Sequence, residues 1–583
     1  MTRSGTGGVL LLHPDDDPSS FPQLKWSHVV DLGRAPEATY QTWSNNVACP
    51  VMSLFDLNAG TEDLHLTREL LEFGMGEVVD QFGIDWWDVL VQSIVPQIQQ
   101  LTLLRRLAVM VSPGTDVYCT RPHFLASGLQ SLTAGKLVIL QTGKGRFVSR
   151  ARRYMSAIQQ LDLAQFTQVL QDKFDPEHAV RKRFARRRPG FRSAPIVLLP
   201  SAYINVSRTA AEYAAMLPGV AFLLVHARNS GRLDRLPNNV KAASLDGYFS
   251  NADGRELKSL RHACRRLCLT LKDSAPEFEV AETSGLLASI EHRLGWGLAV
   301  RDAWLAIFNS QDITACLCAD DSNPYSRLPL MIARSRGIPA LACHHGALDS
   351  RMAIKKQHAD FYLVKSEMER DYLTRVCRMI PDRVVGAEPE RSKAPAPQSN
   401  TAASPRSLVF FTEPCHASGW RTGEVYRDLL PRLVALARKC GLELVFKLHP
   451  FESVKGHRRL LRRYLEPKVA NEIRIIAGQA PPDMWQHANC ALMVQSSVAL
   501  ECSKHGIPLF LCGWLADPCA GYVQQFERFG FGVVLRTPDE LNGVPELMNS
   551  ARRPQSNVSE AISGQTLLQL LEGSYSRGAL ATA

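Results

Sequence analysis

A lysine, a histidine and a proline end an apolar, strand-like run in "LELVFKLHP", residues 442–450. Side chains alternate along a strand, so Lys447 and His449 share one face close to its end. Pro450 has no N–H group to continue a ladder, which makes it a natural strand terminator. Ligands of open α/β sheets bind beyond the carboxyl ends of the strands. The pattern therefore predicts that the ammonium and imidazole groups bind a phosphate or a ribose hydroxyl.

A second pattern of strand, turn and helix lies in "CALMVQSSVALECSKHGIPLFL", residues 490–511. Ser496 and Ser497 precede the helix, where free backbone N–H groups and two hydroxyls together form an anion site. Glu501 lies four residues after Ser497 on the same helix face, within reach of a sugar or ribose hydroxyl. The alternative is that Ser497 only caps the helix.

A third pattern offers a general base. In "ACHHG", strand alternation places His344 and His345 on opposite faces, so only one of them is expected at the sheet edge, where it can deprotonate a hydroxyl. His345 is the first candidate. Asp320 and Asp321 end the strand "ITACLCA" and are the second candidates, unless they only form a helix-entry turn. With the histidines separated and no third ligand nearby, no metal site is predicted.

Strand-like runs alternate with helix-period segments along most of the chain, which predicts an α/β fold with parallel sheets. Residues 387–407 are rich in Pro, Ala and Ser and are interpreted as a linker. The predicted first domain, 1–386, is Rossmann-like and carries extra N-terminal elements and a basic insertion. A second Rossmann-like domain, 408–560, faces it and binds the nucleotide. Residues 561–583 are predicted as a C-terminal helix and tail.

The composition indicates a globular protein, because 45% of the 583 residues are hydrophobic and 21% are charged. No apolar run approaches the roughly 18 residues that span a bilayer, and Val9–Leu12 is too short for a secretory signal. We therefore expect a cytoplasmic protein. The 14 cysteines form no Cys-x-x-Cys pair, which favours reduced core thiols over zinc sites or disulfides.

The net charge of +10 is concentrated in "RKRFARRRPGFR", residues 181–192. This segment is either a solvated basic loop or a contact for an anionic membrane surface or polyanionic substrate. No nucleic-acid-binding motif accompanies it, so nucleic acid is not an expected partner.

His345-Gly346, the run Lys447 to Pro450, and Ser496-Ser497 together resemble bacterial GT-B transferases that build surface polymers. The similar groups are CDP-glycerol glycerophosphotransferases, polysialyltransferases and other bacterial sialyltransferases, and capsular Kdo transferases. The resemblance covers roughly 310–515. It implies a GT-B fold whose His-Pro and Ser-Ser elements hold a cytidine nucleotide, with a His-Gly element or an acidic residue as the base. Asp320-Asp321 departs from the sialyltransferase motif, because Ser322 follows where that motif has glycine.

The expected function is therefore metal-independent and cofactor-free transfer of a sugar or polyol phosphate in capsule polysaccharide biosynthesis. The donor would be CMP- or CDP-linked, and the acceptor a polysaccharide or a lipid-linked molecule at the inner membrane face. The alternatives are an inactive nucleotide-sugar-binding module, a GT-B-shaped UDP-sugar 2-epimerase, and a metal-dependent GT-A transferase using Asp15, Asp16 and Asp17. A nucleic-acid-binding protein is a further alternative.

Overall fold

A computed structural model describes most of the chain. The described residues are 7–13, 16, 25–57, 72–91, 95–140, 195–227, 231–233, 235–249, 254–272, 276–283, 288–346, 355–386, 388–389, 406–415, 419–450, 452–516, 522–550 and 561–574. The basic segment 181–192 lies outside them, and of the predicted linker only 388–389 and 406–407 are described.

The N-terminal part of the chain forms a five-stranded parallel sheet in the order β3-β2-β1-β4-β5. Its strands are β1 Gly8–Leu12, β2 Trp26–Asp31, β3 Val51–Ser53, β4 Val117–Cys119 and β5 Leu137–Ile139. Its helices are α1 Glu37–Val47, α2 Trp86–Val91, α3 Val95–Met110 and α4 Phe124–Thr133. The extra N-terminal elements of the predicted first domain therefore form a sheet of their own.

A seven-stranded parallel sheet follows, in the order β12-β11-β10-β9-β6-β7-β8. Its strands are β6 Ile196–Ser201, β7 Phe222–His226, β8 Val240–Ser244, β9 Ile313–Cys318, β10 Ala340–Cys343, β11 Phe361–Val364 and β12 Val384–Gly386. Its helices are α5 Ile204–Ala215, α6 Gly254–Lys272, α7 Pro276–Thr283, α8 Ala288–Ser310, α9 Pro324–Ser335 and α10 Glu367–Asp371. We call this unit the middle domain.

The third sheet is six-stranded and parallel, in the order β16-β15-β14-β17-β18-β19. Its strands are β14 Ser407–Phe411, β15 Glu443–Lys447, β16 Arg474–Ile476, β17 Ala488–Met493, β18 Leu509–Cys512 and β19 Val533–Leu535. Its helices are α11 Thr422–Cys440, α12 Val454–Tyr464, α13 Pro467–Glu472, α14 Pro482–His487, α15 Val498–Lys504, α16 Tyr522–Arg528 and α17 Val544–Ser550. We call this unit the C-terminal domain.

The strand order identifies where each domain can bind a ligand. Counted along the chain, both larger sheets contain the Rossmann order 3-2-1-4-5-6, with the switch point between the first and fourth strands. In the middle domain the switch point lies between β6 and β9, and in the C-terminal domain between β14 and β17. The predicted α/β class with two Rossmann-like domains is confirmed.

The C-terminal segment returns to the middle domain. Strand β20 (Ala561–Ile562) pairs in parallel with β13 (Glu388–Pro389), and helix α18 (Gly564–Leu571) follows it. Leu567 and Leu570 of this helix are fully buried in one apolar cluster with Leu199 and Tyr213. The predicted C-terminal helix therefore completes the core of the middle domain.

The N-terminal sheet contacts the C-terminal domain through a buried arginine. Arg421, which immediately precedes α11, bonds both carboxylate oxygens of Asp31 at 2.8 and 2.9 Å. Its remaining N–H groups donate to the backbone oxygens of His13 and Asp16, each at 2.8 Å. His13 and Asp31 stand at the carboxyl ends of β1 and β2, so the guanidinium occupies the edge of this sheet where a ligand would otherwise bind.

Two further predictions are tested by the described residues. No helix among them combines the length and apolarity needed to cross a membrane. The 13 described cysteines are all free and most are buried, which confirms the predicted core thiols.

The proposed GT-A motif falls partly in the described chain. Asp16 accepts hydrogen bonds from the His13 backbone N–H at 3.0 Å and from the Thr120 hydroxyl at 2.7 Å. Through these bonds Asp16 stabilises the turn after β1. Asp15 and Asp17 lie outside the described residues.

Candidate active site

A tyrosine links the two main base candidates of the middle domain. Tyr203 lies between β6 and α5, beside the switch point. Its hydroxyl oxygen is 3.1 Å from Asp320 Oδ2 and 2.9 Å from His345 Nε2. The single hydroxyl proton can serve either neighbour, so Tyr203 couples the protonation of the carboxylate and the imidazole. The structure therefore brings His345 and Asp320 together through a residue that we had not predicted.

The predicted separation of the two histidines is wrong. Strand β10 ends at Cys343, so the alternation of side chains does not extend to His344 and His345. Their rings lie 4.8 Å apart, and His344 Nδ1 is 3.7 Å from Asp320 Oδ1. Burial lowers the pKa of His345 to about 4 and that of His344 well below its usual value. Both rings are therefore neutral at pH 7 and able to accept a proton.

The same cluster supplies the third potential metal ligand that the sequence had not suggested. One ligand atom from each of Asp320, His344 and His345 lies within 4.8 Å of the others. However, Lys355 Nζ lies 3.4 Å from His344 Nδ1, and the Tyr203 hydroxyl contacts His345. An ammonium group at this distance repels a divalent cation. This donor set suits proton transfer better than metal binding.

Asp321 belongs to a different, fully buried group of charges. Its carboxylate bonds the ammonium of Lys355 and accepts the Tyr362 hydroxyl at 2.7 Å. Burial alone would raise the pKa of Asp321, but Lys355 and then His358 hold it well below its usual range. With both carboxylate oxygens engaged inside the domain, Asp321 is placed as the counter-ion of Lys355, whereas Asp320 reaches His345.

The C-terminal domain presents the predicted lysine and histidine after β15. The backbone N–H of His449 donates to the Thr412 hydroxyl at 3.1 Å, which fixes the turn before Pro450. The ammonium of Lys447 donates to the Leu448 carbonyl at 2.9 Å. Burial, followed by the charges of Lys447 and His345, lowers the pKa of His449 to about 4.

Electrostatic coupling crosses the cleft between these domains. The charge of His345 in the middle domain acts on His449 in the C-terminal domain. Burial is the main cause of the lowered pKa of Lys447, and the charge of Arg208 on α5 lowers it further. Groups of both domains therefore lie within electrostatic range of one another, and an anionic ligand between them would favour their charged forms.

The serine pair lies at the end of β17. Helix α15 begins at Val498, and Ser497 makes no side-chain capping bond, whereas Ser496 Oγ accepts the Val498 N–H at 3.4 Å. Ser497 therefore occupies the cap position of α15, but its hydroxyl does not cap the helix. Glu501 is partly exposed and lies 3.7 Å from Lys504 Nζ.

One strand separates the serines from His449. Because β14 lies between β15 and β17, the ends of these two strands are about 10 Å apart. Glu413, which follows β14, accepts the Gln495 N–H at 2.7 Å and occupies the switch point. Thr412 and Glu413 follow the strand "SLVFF", so the rule that located His449 could also have found them.

Comparison with known proteins gives a fold likeness only. No family model and no curated protein matches the chain. Among solved structures, UDP-GlcNAc 2-epimerase from Methanocaldococcus jannaschii, in complex with UDP-GlcNAc and UDP, is 9% identical, with a TM-score of 0.41 over 65% of this chain and 99% of that one. Acinetobacter baumannii MurG is 10% identical, with a TM-score of 0.39 over 65% and 99%. The wall teichoic acid polymerase TagF is 10% identical, with a TM-score of 0.36 over 73% and 98%.

Proposed function

We propose that the protein is a GT-B-type transferase that moves a sugar or polyol phosphate from a nucleotide-activated donor to an acceptor hydroxyl. The observation that carries this proposal is the pairing of His345, Tyr203 and Asp320 in the middle domain with His449 in the C-terminal domain. His345 and His449 are close enough for the charge of one to act on the other. In this proposal the proton acceptor and the anion-binding group act on the same bound donor.

In this mechanism His345 takes the proton of the acceptor hydroxyl. Its Nε2–H then donates to the Tyr203 oxygen, whose own proton donates to Asp320, so the new imidazolium is stabilised at once. The acceptor oxygen forms its bond to the donor carbon or phosphorus as the bond to the nucleotide phosphate breaks.

The leaving phosphate needs compensation for its developing charge. Lys447 and His449 supply an ammonium and an imidazole on one side of β14, and the hydroxyls of Ser496 and Ser497 stand on the other side. Groups about 10 Å apart can contact different parts of one nucleoside phosphate. Glu501 would hold a ribose or donor hydroxyl, and no divalent ion or other cofactor is needed to neutralise the leaving group.

We propose a cytidine nucleotide from the resemblance described above, with an acceptor in surface polysaccharide biosynthesis. Thermal-shift screening with CMP, CDP, UMP, UDP and GDP, with and without EDTA, tests this. We expect CMP or CDP to raise the Tm by several degrees in both conditions and His449→Ala to abolish the shift. The matched control is His262→Ala, on the exposed face of α6, which should keep the shift.

Two results would contradict the proposal. The first is stabilisation that requires a divalent ion, and the second is the absence of stabilisation by every nucleotide. Turnover separates the alternatives: binding without release of nucleotide from an activated donor would indicate an inactive module, and formation of a 2-epimer from a UDP-sugar would indicate an epimerase.

A further inference from the structure

A cavity of about 740 Å³ lies beside the buried Lys355–Asp321 pair, and Lys355 is part of its lining. It opens to solvent and is lined by residues of the segment 72–83, α2, α9 and the segments 355–358 and 377–379. Four lysine and arginine side chains and a histidine line it, against two carboxylates. The cationic side chains are those of Arg334, Lys355, Lys356 and Arg378, with the imidazole of His358.

The histidine of this lining, His358, lies between two carboxylates. Burial alone would lower the pKa of His358, but Asp88 and Asp321 raise it. Its Nε2 bonds Asp88, while its buried Nδ1 makes no hydrogen bond to any residue that the structure describes, and Asp321 Oδ2 is 3.9 Å away. Asp88 also lies 3.6 Å from the ammonium of Lys356, so the same carboxylate contacts both Lys356 and His358.

Among the cationic side chains of the cavity, Arg378 has the fewest polar partners. It is exposed, and within the described chain it forms no ion pair or hydrogen bond. Its backbone φ is +56°, in the left-handed region that residues with a Cβ rarely adopt. It follows the π-helical turn Tyr372–Val376, and such turns are frequent at functional sites. An unfavourable backbone conformation thus holds an unpaired guanidinium at the wall of the cavity.

The lining also contains three methionines. Met75, Met331 and Met379 contribute thioether side chains, which adapt to ligands of irregular shape. Lys355 lines the cavity and also lies 3.4 Å from His344 Nδ1, so charge bound here is adjacent to the cluster that contains the candidate base.

We propose that this cavity is a second ligand site, for a compound with a phosphate or carboxylate group, and that Arg378 and Lys356 bind that group. The site is separate from the nucleotide cleft, and the proposal stands whether or not the protein is a transferase. The methionines would contact the carbon body of the ligand.

The test measures binding of inorganic phosphate and hexyl phosphate to the full chain by isothermal titration, and of phosphatidylglycerol vesicles by sedimentation. Saturable binding of the small phosphates indicates a soluble ligand, and binding of the vesicles alone indicates a lipid headgroup; each supports the shared chemistry. All measurements use the His449→Ala background, which removes one of the expected phosphate contacts of the C-terminal domain.

Two variants and two controls locate the binding. Arg378→Gly removes the charge and relieves the backbone, so it should fold, and we expect it to weaken affinity at least tenfold; Lys356→Ala should do the same. Ala48→Gly relieves a similar φ of +53° at the end of α1, and Arg375→Ala removes a nearby exposed charge. Both controls should bind unchanged. Failure of all three probes to bind, or unchanged affinity in Arg378→Gly, would overturn the proposal.

Discussion

The hydroxyl of Tyr203 is the smallest feature on which the proposed chemistry depends. It lies within hydrogen-bond distance of both Asp320 and His345, at 3.1 and 2.9 Å. Without it, a protonated His345 would lose the partner that passes its charge to Asp320. The ring would keep its packing, because Tyr203 also contacts His345 edge-on with ring centroids 5.0 Å apart.

Tyr203→Phe should therefore reduce kcat while nucleotide binding stays unchanged. We expect a loss of about 10-fold to 100-fold, at the lower end of general acid–base effects, and a change in unfolding free energy of about 1 kcal/mol or less. Steady-state kinetics and a thermal shift with nucleotide measure the two quantities. Tyr118→Phe, in the N-terminal sheet, is the matched control. An unchanged kcat and pH–rate profile in Tyr203→Phe would show that the hydroxyl has no part in proton transfer.

The site residues divide into those that the sequence could locate and those that it could not. Lys447, His449 and the serine pair follow strands with clear apolar patterns, so their place at the carboxyl ends of strands was predictable. Tyr203 was not, because it comes from the other side of the switch point and a tyrosine near a strand end carries no motif. Nothing in the spacing of Asp320 and Asp321 indicates which one faces the cleft.

At the level of elements, the alternation of strands and helices was sufficient to predict parallel sheets, because buried parallel strands are nearly continuous apolar runs. Strands β6 and β14 are buried along their whole length, as that rule requires. The alternation failed at His344 and His345, where it was extended two residues beyond the end of β10.

The junction before α11 lets the energetics of a buried contact be tested. Arg421 is 4% exposed and Asp31 is fully buried, so removing one partner leaves the other as an unpaired charge inside the protein. Arg421→Met should lower the unfolding free energy by about 3 kcal/mol or more, measured by urea denaturation. Arg432→Met, on the same helix but with a partly exposed ion pair, should cost less than about 1 kcal/mol. Equal effects of the two substitutions would show that the Arg421 pair does not hold the domains together.

The whole molecule contains several histidines that fold in the neutral form. Burial lowers the pKa of four of them to about 4, against about 6.5 in an unfolded chain. These are His123, His345, His449 and His457. Between those pH values the unfolded chain binds more protons, so their contribution to stability is complete above about pH 6.5 and is lost as the pH falls toward 4.

The free energy of unfolding should therefore decrease from pH 7 to pH 5, by up to about 1.4 kcal/mol per pH unit for each fully affected histidine. The urea midpoint should decrease with it. His457→Gln can keep the contact with the Tyr426 hydroxyl, which is 3.0 Å from His457 Nε2, without a titrating group. Its stability should depend less steeply on pH than that of the original protein. A midpoint that does not change between pH 7 and pH 5 would contradict the expectation.

The arrangement of the three sheets was the part of the fold least accessible from sequence. The N-terminal sheet bonds the C-terminal domain through Asp31, and Asp80, in the segment between β3 and α2, pairs with buried Arg301 of the middle domain at 2.7 Å. The partners are separated by hundreds of residues, and no local pattern connects them.

The β13–β20 pair carries a mechanical consequence. The chain leaves the middle domain after β13 and re-enters it at β20, and these two strands lie side by side. The two chain connections between the domains therefore start next to each other, at the β13–β20 pair. This pair is the natural hinge for rotation of one Rossmann-like domain against the other. The N-terminal part of the chain contacts both domains, through Asp31 and Asp80. Rotation that widens the cleft would pull on these contacts, so the Arg421–Asp31 and Arg301–Asp80 pairs oppose opening.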